Sequence, residues 1–201
     1  STDLFERSMP ASLGDCDAFI SHSWSDDPDA KWRALTSFRK KFVARQGRPP
    51  NVWLDKACID QSEIEANLRS LPVFLSGCES LLVLCGPSFL SRLWCVLELF
   101  TFVHMGGKTY DIDCISLAEA PDDWTLIQVQ CAQFDVRNCD CSVQADKDKI
   151  LSIITTGFGD MDHFNHAVRR VMKRIDGLSS AQLLFATPSN SSDSEDDDTD
   201  S

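Results

Sequence analysis

A chain of 201 residues with 43% apolar composition has room for one large domain with a real core, and no apolar run approaches the ~18 residues of a membrane span. The formal charge is −12, but the stretch from Ser189, SNSSDSEDDDTDS, holds six acids and no base, which leaves 25 acids against 19 bases elsewhere. That balance disfavours a nucleic-acid surface, which needs a basic stripe, and the Ser- and Asp-rich tail is expected to be disordered. The opening residues, STDLFERSMPASLGDCD, have neither the basic end nor the apolar core of a secretory signal. Nine cysteines are an odd number, and Cys78, Cys85, Cys95 and Cys114 lie inside apolar runs. They suit free thiols packed as small hydrophobes in a reduced, cytoplasmic setting.

Taken in order, DAFISHSW (17–24) reads as a first strand. Asp26, Asp27 and Pro28 start a helix, in which Trp32, Leu35, Phe38 and Phe42 recur at helical spacing up to Gly47. NVWLD (51–55) is a second strand. Ser62 and Glu65 form a capping-box pattern ahead of a second helix, which Pro72 is expected to interrupt or restart. SLLVLCG (80–86) is apolar on both faces, as a covered strand is. A turn leads to the helix RLWCVLELFTFV, which ends at Gly106–Gly107. YDIDCISL (110–117) is a fourth strand and QFDVRNC (133–139) a fifth. APDDWTLIQVQCA is irregular to helical, and two helices close the body.

Strands alternating with helices imply a parallel sheet covered on both faces. The expected architecture is a flavodoxin-like, three-layer α/β fold with five strands in the order 2-1-3-4-5. Residues 1–16 read as an extension, 17–176 as the domain and 177–201 as the acidic tail. Ligands of such sheets bind beyond the carboxyl ends of the strands where the order reverses, here between strands 1 and 3. Ser21–Asp27 and Gly86–Trp94 would wall that crevice.

One acid, Glu98, stands in the apolar helix RLWCVLELFTFV. A buried carboxylate without a partner is costly, so it needs a partner, a rim position or a task. Helical geometry puts Glu98 about 40° from Trp94 and about 60° from Thr101, with Ser91 on the same face. Helix geometry leaves two readings open: a rim residue that bonds backbone or pairs with Arg92, or a working carboxylate.

DAFISHSWSDD, then VWLDKACID, then CESLLVLCGPSFLSRLWCVLEL resemble, in this order, the Toll/interleukin-1 receptor (TIR) domain family. The last segment matches its S-x-W-C-x-x-E-L pattern at Ser91, Trp94, Cys95, Glu98 and Leu99, with Leu93 inserted. The resemblance covers about Asp17 to Met105 by motif, and reaches about Arg174 by strand order. It implies cleavage of NAD+, as substrate rather than cofactor, at the nicotinamide–ribose bond, in intracellular immune or stress signalling. Glu98 would be the catalytic carboxylate. Trp94, Ser21, His22, Ser23, Asp26, Ser91 and Cys95 would line the substrate site. The loop Lys56, Ala57, Cys58, Ile59 and Asp60 would mediate self-association. The alternative that the resemblance implies is a non-catalytic TIR-type module that assembles signalling complexes.

Other groupings are weaker. Cys139, Cys141, His163 and His166 have the ligand types for Zn²⁺, but Cys-x-Cys is tighter than the usual pair spacing, and no metal is expected. GGKT (106–109) lacks the first glycine of a P-loop and precedes a strand. Nothing in the sequence brings His22 and Cys95 together as a nucleophilic pair.

Overall fold

The computed structural model describes residues 5–58, 64–141 and 143–184. Four parallel strands form one sheet in the order β2-β1-β3-β4: β1 Cys16–His22, β2 Val52–Trp53, β3 Cys78–Cys85 and β4 Ile112–Ser116. The helices are α1 Pro28–Gln46, the single turn α2 Asp55–Cys58, α3 Ile64–Ser76, α4 Leu93–His104, α5 Pro121–Ala132, α6 Gln144–Phe158 and α7 Met161–Leu184.

Alternation along the strands divides the core in two. Phe19, Leu81, Val83 and Ile112 face a large core built by α3 to α7. Ala18, Ile20, Leu82 and Leu84 face the other way, onto Ala30, Ala34 and Phe38 of α1. Among the described residues α1 is the one helix on that face, and Asp113 of β4 lies exposed there.

α1 begins as its sequence dictates. The Asp27 side chain accepts from Ala30 N at 2.7 Å, Pro28 occupies the first turn, and Gly47 closes the helix at φ 71°. Its buried stripe is Ala30, Ala34 and Phe38, with Leu35 and Phe42 of the expected series partly buried against the same core. Trp32 is 71% exposed. Small residues let the helix axis approach the sheet, and the wide indole is left outside. α1 also carries Lys31, Arg33, Arg39, Lys40, Lys41 and Arg45 against the single acid Asp29, so charge in this acidic chain is segregated. In α3 the helix runs unbroken through Pro72.

The sheet departs from expectation at its far edge. Residues 133–139 form no fifth strand: a short 3-10 turn spans Val136–Asn138. Two of its backbone donors are taken by side chains. The Asp135 carboxylate accepts from Arg137 N at 3.0 Å, and Asn165 Oδ1 of α7 accepts from Val136 N at 2.8 Å. Asn165 is wholly buried, and its Nδ2 donates to Asp135. The chain then touches the segment before α4 at one parallel bridge, with Asp140 N donating to Ser91 O and Leu93 N donating to Asp140 O. α7 continues past residue 176 to Leu184. Most of the acidic tail lies outside the described residues.

Candidate active site at the carboxyl ends of the strands

β1 ends at Ser21 and His22, and the helix that follows β3 lays Glu98 against Ser21. Phe19 and Ser21 share the face of β1 that α4 covers, which explains the meeting. The Ser21 hydroxyl donates to Glu98 Oε2 at 2.6 Å. Ser21 is wholly buried and Glu98 is 8% exposed. Glu98 is therefore no rim residue, and among the described residues its recorded partner is the Ser21 hydroxyl. Burial pushes its carboxyl up to about 8; the Ser21 hydrogen bond opposes that, and the charge of Asp55 adds to it. Asp55, in α2, also accepts from Trp24 Nε1 at 3.0 Å, and the Trp24 ring meets the His22 ring edge-on at 4.7 Å.

The loop after β1 and the loop after β3 are tied together. Asp26 Oδ1 accepts from Ser88 N at 2.9 Å and from Ser88 Oγ at 2.7 Å, and the Ser88 and Ser23 hydroxyls lie 2.6 Å apart. Asp26 is 5% exposed, and its Oδ2 has no hydrogen-bond partner among the described residues. A Cβ on Gly86 would overlap that carboxylate, so only glycine fits where β3 turns into its loop. Lys31 Nζ donates to the Ser23 carbonyl at 2.9 Å and fixes the same loop from α1.

The expected site residues do not form one cluster. Ser21 and Glu98 are in direct contact. Ser23 and Asp26 meet Ser88, whose carbonyl accepts from Ser91 Oγ at 2.8 Å. Trp94, half-buried, packs against the main core. Cys95 donates its thiol to the His22 carbonyl at 3.3 Å, and burial holds its pKa well above the ordinary value. It is an inert core thiol rather than a nucleophile. Ala57 and Cys58 lie in α2, as does the backbone of Lys56. Ile59 and Asp60 lie outside the described residues.

Ser88 and Gly86 fall within the 86–94 wall expected from the sequence, but sequence reasoning did not single them out or give them a partner. A Gly at the end of an apolar strand was a visible signal of close approach, but nothing local identified Asp26, 60 residues earlier, as what approaches. Among the described residues no group of three or more His, Cys, Asp or Glu side chains is placed to hold a metal ion. Cys139 donates instead to Leu90 O, and His163 lies against Asp160. No helix among the described residues is long and apolar enough to cross a membrane. In comparisons with known proteins, no family model and no curated protein matches the chain.

Proposed function

We propose that this chain is a TIR-type, flavodoxin-like domain that hydrolyses NAD+ at the nicotinamide–ribose bond in intracellular immune or stress signalling, with Glu98 as the catalytic carboxylate. The observation that carries this reading is the buried Glu98 carboxyl, held by Ser21 at the carboxyl end of β1, where the sheet order reverses between β1 and β3. The motif order of the sequence and the strand order β2-β1-β3-β4 support it.

The chemistry suits the arrangement. Nicotinamide leaves as a neutral molecule, so it needs no proton. The C1′–N bond breaks, positive charge develops on the ribose, and water then attacks C1′ and releases a proton. A fixed carboxylate beside the ribose stabilises that charge. A carboxyl poised near 8 is mostly neutral in an empty site at pH 7. The cationic nicotinamide ring favours its ionised form, so substrate binding itself makes the catalyst. Ser21 orients the carboxylate, and the half-buried Trp94, one turn earlier, offers a flat wall.

The proposal includes self-association through the loop at Lys56–Asp60. Ile59→Asp should lower activity and self-association together, and activity of the parent should rise faster than linearly with protein concentration. A second reading, a non-catalytic TIR-type assembly module, draws on the depth of Glu98. Incubating the chain at high concentration with NAD+ and resolving nicotinamide by chromatography separates the two. Nicotinamide release by the parent and none by Glu98→Gln, at unchanged circular dichroism, is expected. Equal turnover by both would remove Glu98 from the mechanism, and no turnover by the parent at any concentration favours the module.

A further inference from the structure

At the opposite end of the sheet, β1 and β3 each begin with a cysteine, and the two are register partners: Cys16 pairs with Cys78. Paired residues on adjacent strands lie about 4.8 Å apart at Cα, inside the ~4.4–6.8 Å range that a disulfide spans. Both side chains pack against the main core, and the Cys78 thiol donates to Phe74 O at 3.3 Å. Just before them, Gly14 N donates to Gly77 O at 3.0 Å and holds the two chain entries together. Cys78 is buried. Cys16 is half-buried and lines an open groove with Met9, Leu13, Val52 and Phe74.

We propose that Cys16 and Cys78 form a reversible dithiol–disulfide pair, in which Cys16 is the thiol that a hydroperoxide oxidises and Cys78 the thiol that resolves it. The asymmetry of the pair sets the roles. The groove gives a small hydroperoxide access to Cys16 and not to Cys78. Burial drives the Cys78 thiol up to about 12 and its proton is committed to Phe74 O, whereas the neighbouring Cys78 thiol favours the thiolate of half-buried Cys16. Burial, with Asp15 and Asp17 nearby, still holds Cys16 above its ordinary value, which makes the response slow.

The electrons balance. The Cys16 thiolate attacks one peroxide oxygen, the O–O bond breaks, and the other oxygen leaves as an alcohol, or as water from hydrogen peroxide, after taking a proton. The resulting Cys16 sulfenic acid is attacked by the Cys78 sulfur, the S–O bond breaks, water leaves, and the S–S bond forms. A dithiol reductant reverses the change. The bond would join β1 to β3 at the ends remote from Glu98, so the inference does not rest on the NAD+ reading.

Cys58 is the competitor. It borders the same groove, and its charge is felt by Cys78. The test treats the full chain with hydrogen peroxide, blocks remaining thiols with iodoacetamide, digests without reduction and maps the peptides. The expected result is a mass loss of about 2 Da confined to one linked Cys16–Cys78 peptide. It should vanish with dithiothreitol, while Cys95 and Cys139 stay fully alkylated. Cys78→Ala should leave Cys16 as a sulfenic acid that dimedone traps, and Cys16→Ser should leave Cys78 unoxidised. A dominant Cys16–Cys58 or Cys58–Cys78 link, oxidation scattered over the nine cysteines, or a Cys16 that stays reduced would each overturn the proposal.

Discussion

Glu98 changes charge within the range where a protein works. Its folded value of about 8 stands above the 4.5 of an unperturbed glutamate, so between those values the folded chain keeps a proton that the unfolded chain has released. The stability tied to that proton is fully present below pH 4.5 and is lost as pH rises through 8. Glu98→Gln cannot ionise. Its stability should therefore gain on the parent from pH 5 to pH 8, by on the order of several kcal/mol at the top, and level off beyond. Thermal unfolding at four pH values checks this, and a gap that shrinks with pH would mean the carboxylate is stabilised as an ion. The same group predicts the rate profile. kcat/KM reports the free enzyme and should rise with a midpoint near 8, whereas kcat reports the complex with a cation and should have a lower midpoint. Gly86 makes a steric prediction at the same scale. Gly86→Ala forces a methyl group into the Asp26 carboxylate and should cost about 1–3 kcal/mol in urea unfolding. Adding Asp26→Ala to Gly86→Ala should cost less than Asp26→Ala alone, because the tie to Ser88 is already strained.

The segment after α5 shows where element reading stopped. QFDVRNC has the composition of a strand, but its donors go to Asp135 locally and to Asn165 from 29 residues away. No window along the chain contains that second partner. Asn165→Ala should leave the Val136 N–H buried without an acceptor, at about 1–3 kcal/mol. Amide exchange should quicken at residues 135–140, with β1 and β3 staying protected; uniform loosening would show that Asn165 serves the whole core instead. α1, β1, β3 and α4 were legible because caps, glycines and apolar period act within a few residues. So was the position of Glu98, through strand order and the helix that follows. The inner face of α1 was not, since a tight helix–sheet approach selects Ala30 and Ala34 over Trp32. Nor were the ties across the chain, Ser21 to Glu98 and Asp26 to Ser88, which depend on which loops the sheet order brings side by side.

For the whole molecule, acid and alkali threaten different groups. Arg137 holds the Asp135 carboxyl down to about 2, and Arg48, bonded through Nη1 and Nη2, lowers Asp17. Their contributions are present above the ordinary value of 3.8 and are lost as pH falls toward 2. With Glu98 eroding stability from the other side, maximal stability should lie at mildly acidic pH, about 4 to 6, which a series of melting curves would locate. The charge on α1 has a consequence of another kind. A chain of net charge −12 treated as a uniform sphere repels its copies, and more strongly as salt is removed. This molecule has a cationic pole on one face of its sheet. At 10 mM salt, where the Debye length reaches about 30 Å, opposite poles of neighbouring molecules sense each other; at 150 mM, about 8 Å, they do not. Light scattering should then give a second virial coefficient that falls, rather than rises, on dilution of the salt. Lys40→Glu with Lys41→Glu should restore the repulsion. A falling coefficient would mark the protein in dilute buffer as a dipolar colloid, whose association follows how its charge is arranged more than how much it carries.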